Sequence, residues 1–159
     1  MGIDMTNKPE ISKLDEFSPS VQTHLSIIQS VIQRMATNST SSKTWCITIV
    51  SAILVIVADK GKPDYAWIAL IPTTLFMALD AYYLALEKGF RQAYNTVIRK
   101  IHDGSITPED LFSVAPEGRQ SRHQVEALKS FSVWGFYFTL IILIVIAKSI
   151  VIGKGLTPR

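Results

Sequence analysis

Apolar residues fall into three blocks separated by polar stretches. Trp45 to Ala58 is continuous and apolar but only 14 residues long, whereas a bilayer core needs about 20 helical residues. A first span therefore has to draw on the polar residues before it. Tyr65 to Leu86 is long enough, with Pro72 inside and Asp80 near one end. Phe131 to Ile152 is the clearest span, and Lys148 is its only charge. The stretch "DKGKPD" between the first two blocks is too short for anything but a turn, so those helices form an antiparallel hairpin.

Helical spacing continues outside the blocks. Ser18 suits an N-cap with Pro19 at the first helical position, and Leu25, Ile28, Ile32 and Met35 then recur on one face. After the second block the pattern runs on to Gly104, which supplies a stop, with Glu87 and Arg91 four residues apart. "ITPEDLF" reads as a short helix capped by Thr107, and "PEGRQSRHQVEALKSF" as a helix feeding the third span. The expected fold class is all-α: an integral membrane protein with three transmembrane helices. Its organisation runs as a polar segment (1–18), an amphipathic helix (19–43), spans at 44–58 and 65–86, a cytoplasmic helical region (87–129), a third span (130–152) and an exterior tail (153–159).

Charge orients this arrangement. The chain carries 16 Lys and Arg against 13 Asp and Glu. Eleven of the basic residues fall before the first span or between the second and third, and five fall on the other side, counting Lys148 as snorkelling outward. The positive-inside rule then puts the N-terminus in the cytoplasm and the C-terminus outside. The first residues are polar and mixed in charge, unlike a signal peptide. Cys46 is the single cysteine, so no intrachain disulfide forms.

One pattern remains after the spans are placed. Ser26, Ser30, Gln33, Thr37, Ser41, Thr44, Thr48 and Ser51 follow one another at steps of three or four, which is the helical period. In a single helix from 19 to 58 they form a polar stripe reaching towards mid-bilayer. Two explanations fit. Small hydroxylic residues let helices pack closely and satisfy their own hydroxyls on the backbone. Alternatively, copies of this helix surround a water path lined by Gln33, Thr37, Ser41, Thr44, Thr48 and Ser51 and closed by Val55, Ile56 or Val57. One chain has too few helices to enclose a pore, so the second explanation requires a homo-oligomer.

Other polar residues carry weaker signals. Asp80 in an apolar context is a functional candidate by default, but it shares a helix face with Glu87, and a structural network with Lys43 or Arg34 accounts for it. Direct pairing with Lys148 is excluded because the second and third spans run in opposite directions. His24, His102 and His123 have no metal-ligand spacing, and no nucleophile, base or phosphate loop is recognisable, so no catalytic residue, metal or cofactor is assigned. Arg91, Arg99, Lys100, Arg119 and Arg122 could neutralise phosphates with Tyr94 stacking on a base, or form a basic belt on anionic membrane lipid. A membrane scaffold holding a soluble partner through 87–129, and a membrane-embedded enzyme using Asp80, are the rival classes.

The stretches "HLSIIQSVIQRMATNS" (24–39), "KTW" (43–45) and "ALDAYYLALEKGFRQAYN" (78–95) resemble a family of small bacterial membrane effectors encoded beside nucleotidyltransferases in anti-phage defence, the Hailong type. The resemblance covers about half the chain. It implies a homo-oligomeric channel in the bacterial inner membrane that dissipates the membrane gradient, gated by an oligonucleotide from the partner nucleotidyltransferase.

Overall fold

A computed structural model describes residues 14–155, and every regular element among them is helical. The first helix, α1, runs unbroken from Pro19 to Lys60, 42 residues, or about 63 Å at 1.5 Å per residue. Ser18 stands at its N-cap position with Pro19 behind it. The Ser18 hydroxyl is engaged upstream, donating to the Asp15 carboxylate at 2.8 Å and accepting from the Asp15 amide at 3.0 Å. The helix ends at Gly61, whose φ of 61° is the left-handed conformation that closes helices. Segment 1–13 and the last residues of the tail lie outside the described residues.

The chain then turns through a 3-10 helix, Pro63–Ala69, into α2, Leu70–His102. The expected span from Tyr65 is therefore part 3-10 and part α. Pro72 explains the change, because it has no amide hydrogen to give the carbonyl of Ile68. Beginning α2 at Leu70 places Pro72 in the first turn, where no such bond is due. At the other end the amides of Gly104 and Ser105 bond the carbonyls of Ile101 and Lys100, a Schellman closure with Gly104 at φ 63°.

A second 3-10 helix, Pro108–Phe112, opens with a capping box between Thr107 and Asp110. Residues 113–119 are not helical. Two helices follow, α3 (Gln120–Leu128) and α4 (Phe131–Gly155), separated at Lys129 and Ser130. The helix expected to feed the third span corresponds to α3, which begins at Gln120 and ends just before α4. Three helical segments, Pro19–Lys60, Pro63–His102 and Phe131–Gly153, are long and apolar enough to cross a membrane.

Packing divides along the α1–α2 hairpin. At the hairpin end, Cys46, Val50 and Val57 of α1 join Ala81 and Ala85 of α2 and Val133, Tyr137, Leu140 and Ile144 of α4 in one core. Towards the Pro19 and His102 ends, α1 and α2 continue as a two-helix rod around Val21, Ile28, Val97, Ile101 and Ile106. Helix α2 supports both halves with a buried ladder at four-residue steps, Ala81, Ala85, Gly89, Ala93, Val97 and Ile101. Small side chains there allow close helix approach. Gly89 is the tightest point: a Cβ on it would lie 2.8 Å from that of Pro116. Its carbonyl accepts the Glu117 amide at 3.1 Å, which seats the 113–117 stretch on α2.

Candidate functional site

Helix α1 carries two rows of hydroxyls, and they face opposite ways. Ser39 and Ser42 are buried against α2 in line with Cys46, Val50 and Val57. The stripe of Ser26, Ser30, Gln33, Thr37, Ser41, Thr44, Thr48 and Ser51 is exposed along its whole length. At 100° per residue the two rows stand roughly half a turn apart, so the stripe lies outside the buried core of the subunit, with only Gln33, near Arg91 and Tyr94, and Ser51, on the α1–α4 groove, bordering other helices. Thr44 and Thr48 donate to the carbonyls four residues back, at 3.2 and 2.9 Å. With its hydrogen committed to the backbone, each of these hydroxyls presents oxygen lone pairs outward. Gln33, Thr37, Ser41 and Thr44, with Trp45 at the edge, line an open depression of about 410 Å³.

The three residues expected to close the path separate. Val55 continues the stripe and is 69% exposed, while Ile56 is 58% exposed but points about 100° to the side. Val57 is 2% exposed and belongs to the intrachain core. Seven residues beyond Val50, it falls on the packed face of α1, which leaves Val55 and Ile56 as the exposed members of the three alternatives.

Asp80 is completely buried and forms an ion pair with Lys43 at 2.6 Å. Its second oxygen accepts from the Ser39 hydroxyl. The expected link to Lys43 is present, and Arg34 is exposed and takes no part. This cluster crosslinks α1 to α2 beside the membrane-length segments. Lys148 lies far from Asp80, at the hairpin end, 3.1 Å from Asp64 and 4.6 Å from the centre of the Trp67 ring. It ties α4 to the Pro63–Ala69 helix.

The six residues expected to bind an oligonucleotide do not converge. Arg91 bonds Glu87 at 2.8 Å, Lys100 bonds Asp110 at 2.7 Å, and Arg122 bonds Glu126 at 2.9 Å. Arg99 donates to the Thr96 hydroxyl at 3.0 Å, and the Tyr94 hydroxyl accepts from Gln29 at 3.1 Å. Arg119 caps α3. Arg91 and Lys100 stand nine positions apart on α2, which is two and a half turns, and so face opposite sides. Hydrogen bonding from Lys100 holds the Asp110 carboxyl below the usual carboxylate range, and Arg122 does the same for Glu126. Of these carboxylate partners only Glu87 is evident in the sequence as a helical neighbour expected to pair; Asp110 reaches Lys100 through the fold and Glu126 is one turn from Arg122. Both signs also line a cavity of about 150 Å³ between α2 and the 113–117 stretch, where Phe90, Thr96, Lys100, Asp110 and Glu117 meet.

No group of three metal-ligating side chains occurs among the described residues. His123 Nε2 lies 3.1 Å from the Glu117 carbonyl oxygen, and His24 is buried on α1. Two contributors went unrecognised in the sequence, the Ser39 and Ser42 row and the contact of Gly89 with Pro116. The four-residue recurrence of Ala81, Ala85, Gly89 and Ala93 was the available signal for the packed face of α2. No family model matches this sequence, and comparison with curated proteins and with solved structures returns no significant match.

Proposed function

We propose that the protein is a homo-oligomeric membrane channel in which copies of α1 surround a hydroxyl-lined water path. One observation carries this reading: the polar stripe is exposed on the face of α1 opposite its buried row, in a segment otherwise apolar enough to span a bilayer. Facing lipid, Thr37, Ser41, Thr44 and Thr48 would gain nothing. Facing one another around an axis, their outward lone pairs interact favourably with water and cations. Val55, next along the stripe, is the apolar constriction. In this reading the α1–α2 rod lies in the cytoplasm and the hairpin end outside, which the excess of Lys and Arg on the rod side favours.

The defence-effector role follows from the family resemblance, with gradient dissipation as its outcome. An oligonucleotide trigger would have to displace Glu87, Asp110 and Glu126 from Arg91, Lys100 and Arg122. Exposed pairs of that kind are worth roughly 0–1 kcal/mol each, so polyanion binding can outcompete them. The scaffold alternative has its own support in Phe17 and Phe112, which are 76% and 89% exposed on the rod.

Ion flux from liposomes reconstituted with the purified protein tests the proposal, run beside an assembly measurement. The wild type conducts, and Thr44→Leu, Thr48→Leu and Ser51→Leu each lower flux from an intact oligomer. A protein that inserts but conducts nothing supports the scaffold. Unchanged flux in all three variants removes the stripe from the path.

A further inference from the structure

Helix α4 packs on α2 and the Pro63–Ala69 helix more than on α1, and this leaves a crevice between α1 and α4. Its larger part is a groove of about 510 Å³ whose walls include Val50, Ser51 and Leu54 of α1 and Gly135, Thr139 and Leu143 of α4. Leu54 also lines a second apolar cavity of about 350 Å³, with Ala58, Gly61 and Ala147, which extends the crevice to the hairpin end. The crevice thus follows much of the membrane-length part of α1. It contains no charged side chain.

The same chain carries a shape that suits it. Trp45, Ile49, Ala52 and Ile56 recur at steps of four, three and four on α1, and all four are exposed. They form an uncharged ridge about a quarter turn from the polar stripe, on the side away from the groove. We infer that this ridge of one subunit occupies the α1–α4 groove of the next, closing a ring in which every stripe faces the axis. The inference rests on the channel reading and specifies how its copies meet.

Three features select a second copy as the occupant. Rotation about an axis normal to the membrane leaves depth unchanged, so a ridge must meet groove residues at its own depth. The ridge covers 45–56 and the α1 wall of the groove runs from Ile47 to Leu54. Next, the groove is continuous with the stripe, because Ser51 belongs to both. The water path is incomplete until the neighbouring ridge seals that edge. Finally, Ser132, Gly135 and Thr139 provide small side chains between Phe131, Phe136 and Leu143 on the α4 wall, and small residues suit close helix approach in lipid. Ridge and groove are different surfaces of one chain, and such a head-to-tail contact closes into rings.

Disulfide crosslinking in native membranes tests this, in a Cys46→Ala background. Ile49→Cys and Thr139→Cys carried on one chain should give a ladder of covalent oligomers, because each subunit then offers one thiol to either neighbour, with Cα atoms within about 7 Å. Either substitution alone should give no ladder. Thr139→Trp, which fills the groove, should leave helicity intact and dissociate the oligomer. If an oligomer persists on a native-mass measurement while the double variant gives no ladder, the ridge-in-groove contact is overturned and the channel reading stands. A monomer under all membrane conditions overturns both.

Discussion

The two hydroxyl rows of α1 are chemically alike and do opposite things. Ser39 and Ser42 face α2, where Ser39 helps to hold a fully buried carboxylate whose charge is balanced by Lys43. Thr44 and Thr48 face away from the subunit's packed face, and Ser51 is exposed at the edge of the α1–α4 groove. The first row is consumed by the fold and the second is left over. Hydroxyls in a membrane helix therefore carry no functional meaning by type; what counts is whether the subunit's own packing uses them.

The buried row gives the largest expected effect. Lys43→Met leaves Asp80 without its cation in a site with no solvent access, and breaking a buried pair in this way costs about 3–5 kcal/mol. Thermal unfolding in detergent should show a large fall in the midpoint. Asp80→Leu should cost less, since Lys43 is 18% exposed and can reach water. Combining both substitutions should recover most of the loss. Equal losses from Lys43→Met and Asp80→Leu, with no recovery in the pair, would remove the ion pair as the link between α1 and α2.

Next in size is Gly89→Ala. The added methyl meets the Pro116 side chain at 2.8 Å, and overpacking of this kind costs about 1–3 kcal/mol. The 113–117 stretch should become more susceptible to limited proteolysis while the hairpin end keeps its protection. Unchanged cleavage there would mean that Gly89 does not seat this stretch.

How much of this was legible in the sequence differs between the same two rows. The stripe could be read directly, because eight polar residues at the helical period stand out against an apolar background. The start of α1 at Ser18 and Pro19 and the turn after residue 58 were equally open, since proline and short polar turns are local chemistry. The buried row was invisible for a physical reason. Which face of α1 packs is decided by the small-residue ladder of α2, residues distant in sequence, and the burial of Val57 was hidden for the same cause. The rod shows the same division. Glu87 and Arg91 are neighbours on one helical turn and were read as a pair. Lys100 and Asp110 meet only because the Gly104 turn and the Pro108–Phe112 helix fold back on α2, and without that contact the cations looked available for phosphate.

That fold-back also sets a small pH effect. Lys100 holds the Asp110 carboxyl below its ordinary value of 3.8, so the stabilisation is present above that value and is lost as pH falls through the lower folded one. The pair is partly exposed, and its contribution stays below about 1 kcal/mol after solvent screening. Amide exchange over residues 105–112 should quicken on acidification below about pH 4, relative to intrinsic rates. In Lys100→Met that acid-dependent component should be absent. The same component persisting in the variant would detach it from this pair.

The exposed row predicts almost no stability change on substitution, and its role is read by access to water. Single cysteines placed from Thr44 to Ala52 in a Cys46→Ala background, in membranes with the channel active, can be titrated with a small water-soluble thiol reagent. Thr44→Cys, Thr48→Cys and Ser51→Cys should react, while Trp45→Cys, Ile49→Cys and Ala52→Cys stay protected between subunits. Uniform protection, or reactivity on the ridge positions with the stripe silent, would contradict a water path along this face of α1.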